Sequence, residues 1–177
     1  ITSQLKEMHS NRELIQVDVN GISYFALPQS LELLNNPLSR NKVKILSPFD
    51  NLLIQRKRMQ SLFNFNYKIE CYVPKPKREF GYFSLPILWN VKLIARMDCK
   101  ADRQTSILHI NHLAFESSFK NTEAFAPAFS KGLVSFMRFN ASTHVKLHST
   151  SPVNFKANLE NNFKIFKQKK PLEVEEN

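Results

Sequence analysis

Between Val91 and Lys100 the chain alternates without a break. Val91, Leu93, Ala95, Met97 and Cys99 stand against Lys92, Ile94, Arg96, Asp98 and Lys100. A period of two puts the first set on one face of a strand and the second on the other, which suits a sheet wetted on one side. Similar segments flank it. Tyr67, Ile69, Cys71 and Val73 alternate with Lys68, Glu70 and Tyr72, Phe80 to Leu88 is mostly apolar or aromatic, and Thr105 to Leu113 follows the charged turn Lys100-Ala101-Asp102-Arg103. Short strands of this kind predict a small antiparallel β-barrel or curled sheet. The spacing of Leu52, Met59, Leu62 and Phe63 predicts a helix within Asn51 to Phe65. Glu123 to Phe139 reads as an apolar-rich helix, Thr143 to His148 as a last strand, and Asn154 to Phe166 as a final helix before a charged tail. The fold class expected is α+β.

The N-terminal part has its own pattern. Ser3 to Ser10 reads as the end of a helix, and Leu14 to Val19 and Ile22 to Leu27 as two strands. The Asn20-Gly21 pair between them is a strong signal for a two-residue type I′ turn. Ser30 to Leu34 reads as a short helix stopped by Asn35-Asn36-Pro37. Helix, hairpin and short helix in this order predict the end of a winged-helix unit over residues 1–37, lacking its first two helices. A β-barrel-like domain with packing helices is expected over 38–150, and a C-terminal helix with its charged tail over 151–177. The chain starts at Ile1 with neither an initiator Met nor a signal-peptide pattern, so it is expected to be processed or a fragment.

Several function classes are excluded by composition. Three glycines leave no G-x-G-x-x-G or Walker A loop. No apolar run reaches the roughly 20 residues of a membrane helix. Two cysteines, Cys71 and Cys99, are too few for a disulfide framework and read as core thiols on apolar strand faces. His109 and His112, three apart on a strand, are expected on opposite sides, and the histidines fall short of a zinc pattern. No cofactor or metal is expected.

The net charge of +10 points to a polyanionic partner, and it is uneven. Residues 46–120 carry 12 basic and 6 acidic side chains, against 5 and 4 before them and 8 and 5 after. The basic clusters are Arg56-Lys57-Arg58 and Lys75-Pro76-Lys77-Arg78.

These residues also carry a resemblance. Leu46-Ser47-Pro48-Phe49-Asp50 opens it, followed by Arg56-Lys57-Arg58 and by Leu62-Phe63-Asn64-Phe65-Asn66-Tyr67-Lys68-Ile69-Glu70. Tyr72-Val73-Pro74-Lys75-Pro76-Lys77-Arg78, Gly81-Tyr82 and Leu85-Pro86 come next, and Arg96-Met97-Asp98-Cys99-Lys100-Ala101-Asp102-Arg103 closes it. The stretch resembles a bacterial family of tandem winged-helix DNA glycosylases, among them enzymes that unhook interstrand crosslinks and excise alkylated bases. It covers about a third of the chain densely. The resemblance implies three winged-helix units followed by a β-barrel domain, of which this chain matches the C-terminal half. It also implies a catalytic Gln-x-Asp or Gln-x-Gln motif near the N-terminus of a full-length protein. Gln16-Val17-Asp18 spells that pattern but sits in a hairpin strand and lacks the hydroxyl residue and aliphatic run that follow the family motif. It is read as an exposed strand face, and no catalytic residue is assigned.

Candidate DNA contacts are Arg56, Arg58, Lys75, Lys77, Arg78, Tyr82, Arg96 and Lys100. Pro74 and Pro76 stiffen a loop bearing three cations beside Tyr72, Phe80 and Tyr82, suited to phosphate contact with nearby ring stacking. Arg96, Asp98 and Lys100 share a strand face, which serves either a phosphate groove or an internal ion-pair lattice with Asp50 or Glu70. The expected function is the DNA-binding, structural portion of a glycosylase that hydrolyses the N-glycosidic bond of alkylated or crosslinked bases. The partner expected is double-stranded DNA, the protein a cytoplasmic monomer with no membrane association. The other reading is a non-enzymatic winged-helix nucleic-acid-binding or regulatory module.

Overall fold

The computed structural model describes residues 2–169. The chain divides into two compact units, one up to Ser39 and one from Arg40 onward.

In the first unit, α1 (Thr2–Ser10) leads into β1 (Ile15–Val19) and β2 (Ile22–Ala26). The two strands pair antiparallel with Val19 opposite Ile22. Asn20 and Gly21 have φ of 56° and 77°, the left-handed pair that a type I′ turn requires. Asp18 Oδ1 accepts from the Gly21 N–H at 2.9 Å and secures the turn. Helix α2 (Pro28–Glu32) begins on a proline, where no N–H is missed. A 3-10 turn, Leu33–Asn35, replaces the end of the expected helix.

The second unit is a six-stranded curled sheet with helices against it. Its strands are β3 (Lys44–Ile45), β4 (Ser84–Trp89), β5 (Lys92–Asp102), β6 (Ile107–Phe115), β7 (His144–Leu147) and β8 (Thr150–Ser151). The order is β3-β4-β5-β6-β7, with β8 also on β6. The first pairings are antiparallel, but β7 and β8 run parallel to β6. The sheet is therefore mixed and open. A parallel return needs a crossover, and α5 (Thr122–Phe139) supplies it. Asn121 Oδ1 caps α5 by accepting from Ala124 N at 3.2 Å.

The main core lies between this sheet and two helices, α5 and α6 (Phe155–Lys169). Ile87, Ala95, Met97, Ile110, Leu113, Phe125, Phe129 and Leu159 are fully buried there. A second cluster, Leu46, Leu53, Met59, Phe65, Tyr67 and Leu93, covers the other side of the sheet near the start of β5. Residues 93–97 of β5 are consequently buried on both faces, so Arg96 lies in an interior that the alternation alone assigns to solvent.

Three expected elements differ. The helix expected within Asn51 to Phe65 is two, α3 (Asn51–Ile54) and α4 (Arg56–Phe63), parted at Gln55, whose ψ is 89°. Arg56 Nη1 donates to the Leu53 carbonyl at 2.6 Å and Arg58 Nη2 to the Asn51 carbonyl. The arginines thereby satisfy carbonyls that the end of a helix leaves open. Tyr67 to Val73 is not a strand. Of its alternating side chains, Tyr67 and Ile69 pack onto the second cluster from an irregular segment. Lys100 to Asp102 is not a turn, because β5 continues through it, and the chain reverses at 103–106 instead. The charged tail from residue 170 lies outside the described residues.

Candidate nucleic-acid interface

The segment from Glu70 to Phe83 presents the proline-stiffened cations. Lys75–Lys77 forms one 3-10 turn between Pro74 and Arg78, and Lys75 and Lys77 are exposed. Tyr72 is 92% and Tyr82 56% exposed. Arg78 is more confined: its Nε donates to the Val73 carbonyl at 2.8 Å, and its guanidinium lies 4.8 Å from the Tyr82 ring centroid. Arg78 thus braces the loop and holds Tyr82 in place, while Lys75, Lys77 and the two tyrosines face solvent.

The loop is anchored from inside by a carboxylate. Glu70 is buried, and its oxygens accept from the backbone N–H groups of Glu79 (2.9 Å), Phe80 (2.7 Å) and Gly81 (3.2 Å). Burial works against ionisation here, but the three N–H donors and Lys68 outweigh it and hold the Glu70 carboxyl below its usual range. Asp98 on β5 takes the next position, accepting from Phe83 N and Asn111 Nδ2, both at 3.2 Å. Gly81 passes directly over Asp98 with φ of 121°, a conformation open to glycine and strained for other residues.

Arg96 is placed differently from the sequence expectation. It is 7% exposed and ion-paired to Glu116, its Nη2 donates to the Asn66 carbonyl at 2.8 Å, and its guanidinium lies 4.2 Å from the centroids of both Phe65 and Phe80. Arg56 caps the same arrangement, 4.5 Å from the Tyr67 centroid, with Tyr67 stacked on Phe65. The result is a column of Arg56, Tyr67, Phe65, Arg96 and Phe80. Desolvation and then the Coulombic pull of Arg56 and Arg96 act in opposite senses on Tyr67; burial prevails, and the phenol is pushed up to about 12. Its hydroxyl donates to the Ser84 carbonyl at 2.7 Å.

In this column Arg96 is buried rather than presented to solvent, and its ion-pair partner is Glu116 rather than Asp98, Asp50 or Glu70. Asp50 instead caps α3 through Leu52 N at 2.8 Å. Phe80 lies against Arg96, so the rings open to a base are Tyr72 and Tyr82. Arg56 and Arg58 are each tied to a backbone carbonyl, and Lys57 between them is exposed. Lys100 is exposed on the outward face of β5.

Two features escaped the sequence reading. Glu70 was visible only as a possible ion-pair partner, since its three donors are backbone groups that no side-chain pattern reveals. The phase of β6 was also misjudged. Cys99 pairs with Ile110 and Asp98 with His112, so Asn111 is an extra, bulged residue. The bulge brings His109 and His112 to the same outward face. Gln16 and Asp18 are exposed and bonded within their hairpin, Gln16 Nε2 to Ser23 Oγ at 3.1 Å.

Among the described residues, no three His, Cys, Asp or Glu side chains gather in a way that could hold a metal, and no helix is long and apolar enough to cross a membrane. Cys71 and Cys99 are free, and burial pushes the Cys99 thiol up to about 12.

A family model described as DNA glycosylase AlkZ-like matches residues 1–139. The chain belongs to the AlkZ-like DNA glycosylase family. Among solved structures, the Streptomyces sahachiroi DNA glycosylase AlkZ aligns with a TM-score of 0.47 and 14% identity, over 83% of this chain and 37% of that one. The chain therefore spans little more than a third of the length of that protein. In this AlkZ-like chain the matched residues include the Glu70–Phe83 loop, the Arg96 column and α5, while β7, β8 and α6 follow the matched span.

Proposed function

We propose that this chain is the C-terminal DNA-binding and structural portion of a DNA glycosylase that hydrolyses the N-glycosidic bond of alkylated or crosslinked bases. Residues 1–37 act as the end of a winged-helix unit, 38–150 as the DNA-holding half-barrel, and 151–177 as its closing helix and tail. The partner is double-stranded DNA, and the protein works as a monomer in the cytoplasm. Family membership supports the reaction class. The observation that carries the assignment of this part is the Glu70–Phe83 loop, with Lys75, Lys77, Tyr72 and Tyr82 exposed on a rigid mount. Duplex backbones are held by such cations, and unstacked bases by such rings.

Catalysis is assigned elsewhere in a longer protein. Glycosidic hydrolysis needs a carboxylate or polarised amide to direct water. Three of the carboxylates near the loop already have other tasks: Glu70 clasps three N–H groups, Asp98 bonds Phe83 and Asn111, and Glu116 pairs with Arg96, while Glu79 is exposed on the loop itself. Anisotropy with a labelled duplex, alongside a glycosylase assay on alkylated and crosslinked duplexes, tests this division. The expected result is salt-sensitive binding without base release. Base release by these residues alone, or no duplex binding, contradicts it.

A further inference from the structure

A second basic cluster lies on the outward face of the sheet, apart from the loop. Register places Lys100 of β5 opposite His109 of β6, and His109 opposite Lys146 of β7. The three form a row across three strands on the face away from Leu108 and Ile110, spanning roughly 10 Å at two strand spacings. Lys100, Lys146 and His148 are exposed. His148 stacks on His109 with ring centroids 5.2 Å apart and planes at 22°, and His109 Nδ1 lies 2.9 Å from His148 Nε2.

We propose that this row is a second phosphate contact for duplex DNA, and that the His109–His148 pair takes up a proton when the phosphate docks. The inference rests on the nucleic-acid reading given above. A nitrogen pair at this distance needs one N–H and one lone pair, so a single proton lies between the two facing atoms. Adding another proton there breaks the bond and leaves two facing N–H donors, one on a cationic ring and one on a neutral ring. On the bare face that step is unfavourable. Slight desolvation, then Lys146, His109 and Lys156, keep the His148 imidazole below the ordinary 6.5.

The neighbouring acids are already engaged. Asp98 bonds Phe83 and Asn111, Asp102 bonds the N–H groups of Gln104 and Thr105, and Glu160 of α6 pairs with Lys156 at 3.7 Å. His112 is held by Ser149 and Ser151 at 2.7 and 3.1 Å, and His144 by Thr143 at 2.9 Å. Among the described residues no carboxylate hydrogen-bonds the pair; Asp102 reaches His109 through its charge alone, and an incoming phosphate adds negative charge in direct contact. It reverses the balance and receives charge-assisted hydrogen bonds. A row of this length exceeds one free phosphate and suits successive phosphates of a strand.

The test measures anisotropy of a short fluorescein-labelled duplex with the whole chain at fixed ionic strength, from about pH 8 down to about pH 5.5. Affinity is expected to rise as pH falls, by up to about tenfold per unit for one proton taken up. Calorimetry in two buffers of different ionisation enthalpy should show that proton directly. The double variant His109→Gln/His148→Gln should bind with a flatter pH profile and no such uptake. Lys100→Ala with Lys146→Ala should weaken binding at every pH and lower the salt slope by about 2. Thermal unfolding of each variant confirms that it is folded. An unchanged pH profile in the histidine variant overturns the inference while leaving the DNA reading intact. Absence of duplex binding at every pH overturns both. Equal proton uptake with inorganic phosphate alone overturns the assignment to DNA.

Discussion

A Cβ at Gly81 would stand 2.4 Å from Cγ of Asp98. That is far inside van der Waals contact, and Asp98 is itself fixed by Phe83 and Asn111. The cation-bearing loop therefore meets the sheet at a point where one residue type fits.

Gly81→Ala should both clash and strain. A side chain at φ of 121° costs on the order of 1–3 kcal/mol before any clash. Denaturant unfolding should show at least that loss, and duplex affinity should fall because Lys75 and Lys77 move with the loop. A stable variant with normal affinity would show that the loop has another way down onto the sheet.

Glu70→Gln removes the charge from the N–H clasp. Hydrogen bonds to a charged group contribute roughly 1.5–3 kcal/mol, and a loss towards the upper end is expected because both carboxylate oxygens accept and the amide NH2 that replaces one of them cannot. The pH sign follows from the lowered carboxyl. The wild-type advantage is complete above the ordinary value of 4.5 and disappears as pH falls through the lower folded value. Unfolding curves of the two proteins should therefore differ at neutral pH and converge in acid.

Arg96→Met separates interior from interface. Removing one partner of a buried pair costs about 3–5 kcal/mol, and here it leaves Glu116 unpaired and takes the guanidinium from beside the Phe65 and Phe80 rings. The expected outcome is a large loss of stability with an unchanged salt slope of DNA binding. A lower slope in the folded variant would return Arg96 to the DNA-contacting set.

Lys75→Ala with Lys77→Ala should do the reverse. Both side chains are exposed, so stability should stay within about 0.5 kcal/mol. The slope of log affinity against log salt should drop by about 2. A titration of labelled duplex over several salt concentrations reads it directly.

Much of this was legible in the sequence because the signals were local. Asn20-Gly21 specified its own turn, and the alternation from Val91 to Cys99 found the longest strand. Arg96 was misplaced because alternation reports one wet face, whereas the segment around Phe65 and Tyr67 covers that face from some 30 residues upstream. The shared face of His109 and His112 depended on a bulge at Asn111, and a single inserted phase step leaves no compositional trace. Glu70 was obscure for a different reason: its partners are main-chain N–H groups, which every residue but proline carries.

The parallel pairing of β6 with β7 also bears on how the protein is made. As the chain leaves the ribosome, β6 emerges with one edge unpaired, and all of α5 must follow before β7 can close it. Leu147 arrives with β7 itself, and Leu159 and Phe163, which complete the main core, come later still. For that interval the nascent protein exposes a strand edge and aromatic surface to its surroundings, a state prone to association with other chains. Synthesis pauses beyond Phe139, or a chaperone engaged there, should govern the yield of folded protein more strongly than events earlier in translation.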